Sequence, residues 1–202
     1  MIVSYWSICA TLSRMSAPQW TGGGARSRTR KAILDAAMMV IGDNPAASLS
    51  DIASAADVGR STLHRYFAER SDLLHALALH VHELSNAAIE RAEPDCGPPV
   101  EALRRVVECQ LDLGPIVQFV YNDSAIMADK ELAAILDTGD EVIVEVLDRV
   151  ATQGTAGPPC WPRLVFWALL NAGYAAASQG TPRVQVVDAI MASLTQGTIK
   201  PE

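Results

Sequence analysis

From Ser27 almost to its end the chain repeats apolar residues at helical spacing, and no stretch alternates as a strand would. Ile33, Ala37, Val40 and Ile41 follow i, i+4, i+7, i+8 spacing and predict a first helix, stopped by Gly42-Asp43-Asn44-Pro45. Ser48-Leu49-Ser50-Asp51 has the form of a capping box, in which the Ser48 hydroxyl accepts the third backbone N–H and Asp51 reaches back. It opens a second helix with Ile52, Ala53 and Ala56 on a narrow apolar face. Asp57-Val58-Gly59 reads as a turn, and a short third helix follows over 60–67, its buried pair being Leu63 and Phe67. Ser71 caps a long fourth helix carrying Leu73, Leu74, Leu77, Val81, Leu84 and Ile89, which ends near Pro94. Further helices are predicted over 100–113, 115–121, 128–151, 161–178 and 183–195. The one over 128–151 has the clearest period, through Leu132, Ile135, Leu136, Val142, Ile143, Val146, Leu147 and Val150.

This pattern predicts an all-α fold of about nine helices without internal repeats. Thr21-Gly22-Gly23-Gly24-Ala25 marks 1–26 as a disordered N-terminal arm. Half of the 202 residues are apolar and 19% charged, enough to bury a sizeable core. The net charge of -7 would argue against a nucleic-acid partner, but it is unevenly spread. Residues 1–70 hold eight basic against five acidic side chains, and 71–202 hold eight against eighteen. One end is thus suited to a polyanion and the other is not.

Other chemistry is thinly represented. Cys9, Cys96, Cys109 and Cys160 form no CxxC pair, so reduced cytoplasmic thiols are expected rather than a zinc site or a disulfide framework. His75 and His82 lie two turns apart on one helix face while His80 points elsewhere, so no metal or other cofactor is expected. The apolar run 164–177 is broken by Asn171 and is too short to span a bilayer comfortably, so no membrane role is expected. The N-terminus lacks the basic start of a signal peptide, and Met15 is an alternative start.

Two short helices joined by a three-residue turn, with a helix before them, describe a helix-turn-helix, which pushes its second helix into a major groove. The outward residues over 60–67 are Arg60, Ser61, Thr62, His64, Arg65 and Tyr66, with Arg70 just beyond. Each can donate to a phosphate or a base edge.

In these residues the chain resembles the tetracycline-repressor (TetR) family, over 29–74. The matching stretch includes Ile52-Ala53, the turn Val58, Thr62-Leu63, Phe67, a basic residue three later and Leu73-Leu74, all in register. The resemblance implies a helix-turn-helix DNA-binding domain over 27–70 and a helical ligand-binding and dimerisation domain over 71–202. It implies phosphate contacts from Thr62, His64 and Tyr66, and base contacts from Ser61 and Arg65. Arg70 would replace the usual phosphate-binding lysine, while Arg28, Arg30 and Lys31 would meet the backbone; Arg60 and Ser48 complete the DNA-facing set. Three positions depart from the family pattern: Asp57 stands for the turn glycine, Gly59 for the capping serine, and His64 for a tyrosine. His64 has a shorter reach than a tyrosine.

The family also implies a homodimer, two recognition helices about 34 Å apart on a near-palindromic double-stranded operator, and release by a small-molecule effector of apolar character. The helix over 161–178 is apolar nearly all round and rich in small residues, as a dimer seam or an internal core helix would be. Effector-lining candidates are His80, Cys109, Phe119, Tyr121, Met127, Trp161, Phe166 and Trp167, residue types that more often form plain core. The acidic balance disfavours an anionic effector and is too dispersed to specify a cation. No G-x-S-x-G, phosphate loop or H-E-x-x-H is present, so no enzyme is expected. A small helical enzyme or ligand carrier that retains the hairpin, or a regulator governed by a protein partner, stays open as an alternative.

Overall fold

The computed structural model describes residues 24–151, 154 and 157–198. Most of the expected arm, 1–23, lies outside them. Eleven α-helices run in order among the described residues: α1 (Ala25–Asp43), α2 (Leu49–Ala55), α3 (Arg60–Tyr66), α4 (Arg70–Arg91), α5 (Pro99–Asp112), α6 (Ile116–Asn122), α7 (Ser124–Ala128), α8 (Lys130–Leu136), α9 (Glu141–Val150), α10 (Trp161–Ser178) and α11 (Arg183–Ser193). A π-turn, Leu194–Thr198, closes the described chain.

All nine expected segments are helical. The segment over 128–151 is divided, and the single-turn α7 precedes it. The division falls at Gly139, whose φ of +86° an L side chain rarely adopts. A Cβ there would also stand 2.5 Å from the Asn86 amide. Leu136 and Ile143 both remain buried across the break, so the apolar period passes through it unchanged. The first helix starts at Ala25, ahead of the expected Ser27, and brings Arg26 out of the expected arm into its first turn.

The core is continuous. Ile33, Ala37 and Ile41 of α1 meet Ile52 and Leu63 of the next two helices and Leu73 and Leu77 of α4, and the same apolar cluster runs on through α5, α9, α10 and α11 to Leu194. α4 is the strut that joins the two ends, packing on α1 at one side and on α5, α6, α7 and α8 along its length. Its three histidines each reach a different helix: His75 faces Asp129 at the head of α8 (3.4 Å), His80 faces Asp35 on α1 (3.1 Å), and His82 faces Tyr121 on α6 (2.9 Å).

α10 has two apolar stripes on opposite sides. Pro162, Phe166, Leu170, Gly173 and Tyr174 are buried in the core. Leu164, Ala168, Ala172 and Ala175, at i, i+4, i+8 and i+11, are exposed. That accounts for a helix that reads as apolar all round.

Candidate functional site

The hairpin of α2 and α3 is fixed by local chemistry at three points. At its start, the Ser48 amide donates to Asp51 Oδ2 (2.8 Å) and Ser48 Oγ accepts the Asp51 amide (3.2 Å), so the capping box forms as expected. Those Ser48 hydrogen bonds hold the Asp51 carboxyl below its usual pKa. At the turn, Asp57 takes a φ of +52°, the left-handed conformation that the family glycine would supply. At the end, Phe67 and Leu63 are buried and pin α3 to the common apolar core.

With Leu63 inward, the rest of α3 faces out. Arg60, Ser61, His64 and Arg65 are exposed, and Thr62 and Tyr66 are half-buried. The basic residues of α1 join them. Arg26 lies over the Tyr66 ring at 5.9 Å, Arg65 approaches the same ring at 6.0 Å, and Arg30 covers Phe67 at 5.6 Å. Arg28 is exposed, and Lys31 pairs with Asp35 at 2.7 Å. Arg26 is a DNA-facing residue that the sequence does not single out, because the helix begins two residues ahead of the expected Ser27. His64 Nδ1 sits 3.3 Å from the Ala68 carbonyl, which favours its donor tautomer at that nitrogen.

Arg70 stands apart from that surface. Its guanidinium donates to the Ala47 carbonyl and to the Pro45 carbonyl (2.8 Å), tying the first turn of α4 to the loop ahead of α2. An arginine can fork between two carbonyls, and a lysine cannot do so in the same geometry.

The effector-lining candidates divide. Tyr121, Phe166 and Trp167 come together: Trp167 lies nearly parallel to Tyr121, centroids 6.0 Å apart, and edge-on to Phe166 at 5.3 Å. Phe119 and Cys109 are half-buried against the same continuous core. Burial pushes the Cys109 thiol up to about 11 and the Tyr121 hydroxyl up to about 12. Met127 and Trp161 are 41% and 43% exposed, and Trp161 covers Gly157. His80 is turned away, onto Asp35 of α1.

Two polar residues that the sequence reading did not select, His82 and Asp140, bond directly to the aromatic group, and others hold them in turn. His82 Nδ1 meets the Tyr121 hydroxyl, and its Nε2 meets the Asn86 amide (3.3 Å). Burial depresses the His82 pKa, against a weaker opposing pull from Glu83, Asp140 and Glu141, so the neutral ring is favoured. Asp140 Oδ2 accepts from Trp167 Nε1 (2.9 Å) and from Arg163 Nε (2.6 Å), while Arg163 Nη2 donates to Asp137 (2.8 Å). The Asp140 hydrogen bond raises the Arg163 pKa further above its ordinary value. Closer to the DNA-facing end, a cavity of about 500 Å³ opens between α3, α4, α7 and α8, with Tyr66, Phe67, His75 and Asp129 among its walls.

Residues 33–77 match the family described as bacterial regulatory proteins, tetR family. Across 176 residues the chain is 67% identical to the HTH-type transcriptional repressor LfrR of Mycolicibacterium smegmatis, covering 87% of this chain and 93% of that protein. The chain belongs to the TetR family. It is accordingly a helix-turn-helix, DNA-binding transcriptional regulator, and the relative that decides this is a repressor and not an enzyme. The crystal structure of LfrR from Mycobacterium smegmatis in complex with proflavine matches with a TM-score of 0.82 at 67% identity, covering 88% of this chain and 99% of that one. A second LfrR crystal structure matches with a TM-score of 0.67 at 60% identity, covering 84% and 99%. No helix among the described residues is long and apolar enough to cross a membrane.

Proposed function

We propose that this TetR-family chain is a cytoplasmic homodimeric repressor that reads a near-palindromic operator and is released from it by a small, largely apolar aromatic molecule. The reading rests on the outward face of α3, where four hydrogen-bond donors stand exposed on a helix locked in place by Leu63 and Phe67. Residues 27–70 would form the DNA-reading unit and 71–202 the effector and dimer unit. Ser61 and Arg65 approach base edges. Arg60, Thr62, His64 and Tyr66, with Arg28, Arg30, Lys31 and the Ser48 end of α2, track phosphates. Arg70 supports that surface by holding the 45–47 loop in addition to lending its charge.

The exposed stripe of α10, with Leu164 53% exposed, and Val184 of α11, 62% exposed, support pairing of two copies through α10 and α11. The effector reading rests on the Tyr121–Phe166–Trp167 group. Its close relative LfrR has been crystallised with proflavine, a flat tricyclic aromatic, and near-parallel rings suit such a shape. An effector that spreads Tyr121 from Trp167 would move His82 and hence α4, and so alter the spacing of the two recognition helices.

The test is an anisotropy titration of purified protein against DNA flanking its own gene, with a random duplex alongside, at two salt concentrations. Tight, salt-sensitive binding confined to one flanking fragment is expected. Equal affinity for both duplexes would overturn the operator reading.

A further inference from the structure

Asp140 occupies the position ahead of α9 from which an aspartate would normally cap the helix, yet its side chain makes no capping bond. Asp123 and Asp129, in the equivalent places before α7 and α8, do cap, each accepting two backbone amides. The Asp140 carboxylate is instead turned inward, 9% exposed as a residue, and committed to Trp167 and Arg163. Giving up a cap and burying a carboxylate both cost stability unless a cation offsets them. The cation present is a guanidinium, flat and delocalised, set beside the aromatic pair that forms the proposed effector pocket. Its side chain is 34% exposed and already has a second partner in Asp137.

Resting on the pocket reading above, we propose that Arg163 is a tethered occupant of a cation seat, and that the effector is a planar aromatic cation that takes its place on Asp140. In the exchange the Arg163–Asp140 ion pair opens, Arg163 stays on Asp137, and the effector cation pairs with Asp140. The buried carboxylate is matched before and after. An uncharged molecule of the same shape that displaced Arg163 would leave that carboxylate without a cation, held by the Trp167 indole alone, so the site rejects it. Tyr121 and Trp167 lie stacked, their centroids 6.0 Å apart, so a flat molecule that enters between them must part the two rings. The neutral His82 behind Tyr121 adds no positive charge against the incoming cation.

The exchange is tested by fluorescence titration of the purified full chain at about pH 8, with 9-aminoacridine as the planar cation and acridone as its uncharged counterpart. Arg163→Gln should tighten 9-aminoacridine about tenfold, because the competitor is gone, and leave acridone within about twofold. Asp140→Asn should abolish the preference for the cation. If Arg163→Gln does not fold, Arg163→Lys decides the matter, since a lysine keeps the charge but cannot fork between Asp137 and Asp140 and should give a smaller gain. A folded Arg163 variant with unchanged or weaker 9-aminoacridine binding, or an equal gain for both dyes, overturns the exchange alone. Binding of 9-aminoacridine that persists undiminished in Trp167→Ala overturns the pocket reading and the exchange with it.

Discussion

Arg65 and Arg70 carry the same charge five residues apart, and their surroundings give them different tasks. Arg65 is exposed on α3, its guanidinium over the Tyr66 ring. Arg65→Ala should cost about 1–3 kcal/mol on the cognate operator and much less on random DNA; an equal loss on both would show that it touches phosphate only. Arg70 holds two backbone carbonyls, so Arg70→Ala should also lower folding stability in urea by about 1–2 kcal/mol and weaken binding to every duplex. Unchanged stability would return Arg70 to a purely DNA-facing role. His82 makes the third case. Its pKa is depressed by burial from about 6.5, so the unfolded chain takes up a proton that the folded chain refuses. Its contribution is complete above about pH 6.5 and is lost as the pH falls from there through the folded pKa. The thermal midpoint should therefore drop on acidification, and His82→Gln, which keeps polar groups towards Tyr121 and Asn86, should drop less steeply. Parallel profiles would place the acid sensitivity elsewhere. The sequence favoured His80 over His82 for the pocket: the two rings, two positions apart, point to different sides of α4, and no local signal tells which side meets the pocket helices. What decides is which neighbouring helix each ring meets.

The hairpin was legible at the scale of elements because its signals are local. A capping box, a turn and a buried Leu63–Phe67 pair sit within twenty residues, and each forms as the spacing implies. The break between α8 and α9 was not legible from periodicity. Leu136 and Ile143 are seven apart, and both stay in the core whether the helix is whole or interrupted. Only Gly139, followed by Asp140, marked the place. The break matters to the pocket, for it turns Asp140 towards Arg163 and seats Asn86 against the Gly139 backbone. Gly139→Ala meets both a left-handed φ and the Asn86 side chain, and should destabilise the fold by about 2–3 kcal/mol in urea denaturation. Loss of less than about 0.5 kcal/mol would mean that Asn86 moves aside and the turn relaxes. The Asp140–Arg163 pair itself was invisible from sequence, because its partners are 23 positions apart and lie among many equivalent charges.

For the whole molecule, a basic surplus at one end and an acidic surplus of ten over residues 71–202 give the protein a charge polarity. Long-range attraction orients the α3 end towards DNA, while the acidic body keeps the rest away from it. That polarity reads a palindrome only if two copies are joined with both α3 helices on one side, and the outer stripe of α10 is the surface proposed for the joining. Leu164 and Val184 are among the most exposed large apolar side chains, neither belongs to the core cluster, and Ala168 and Ala172 continue the stripe with little bulk. Replacing Leu164 and Val184 together by Arg would put four like charges across a two-fold seam. The double variant should sediment as a folded monomer with unchanged helical circular dichroism. Because its α3 surface is untouched, each copy should still touch a half-site, but operator affinity should fall about 10²–10⁴-fold as the second half-site ceases to bind in the same event. A folded double variant that still sediments as a dimer would move the seam away from α10 and α11. A monomer that binds the full operator as tightly as the parent would remove the need for pairing altogether.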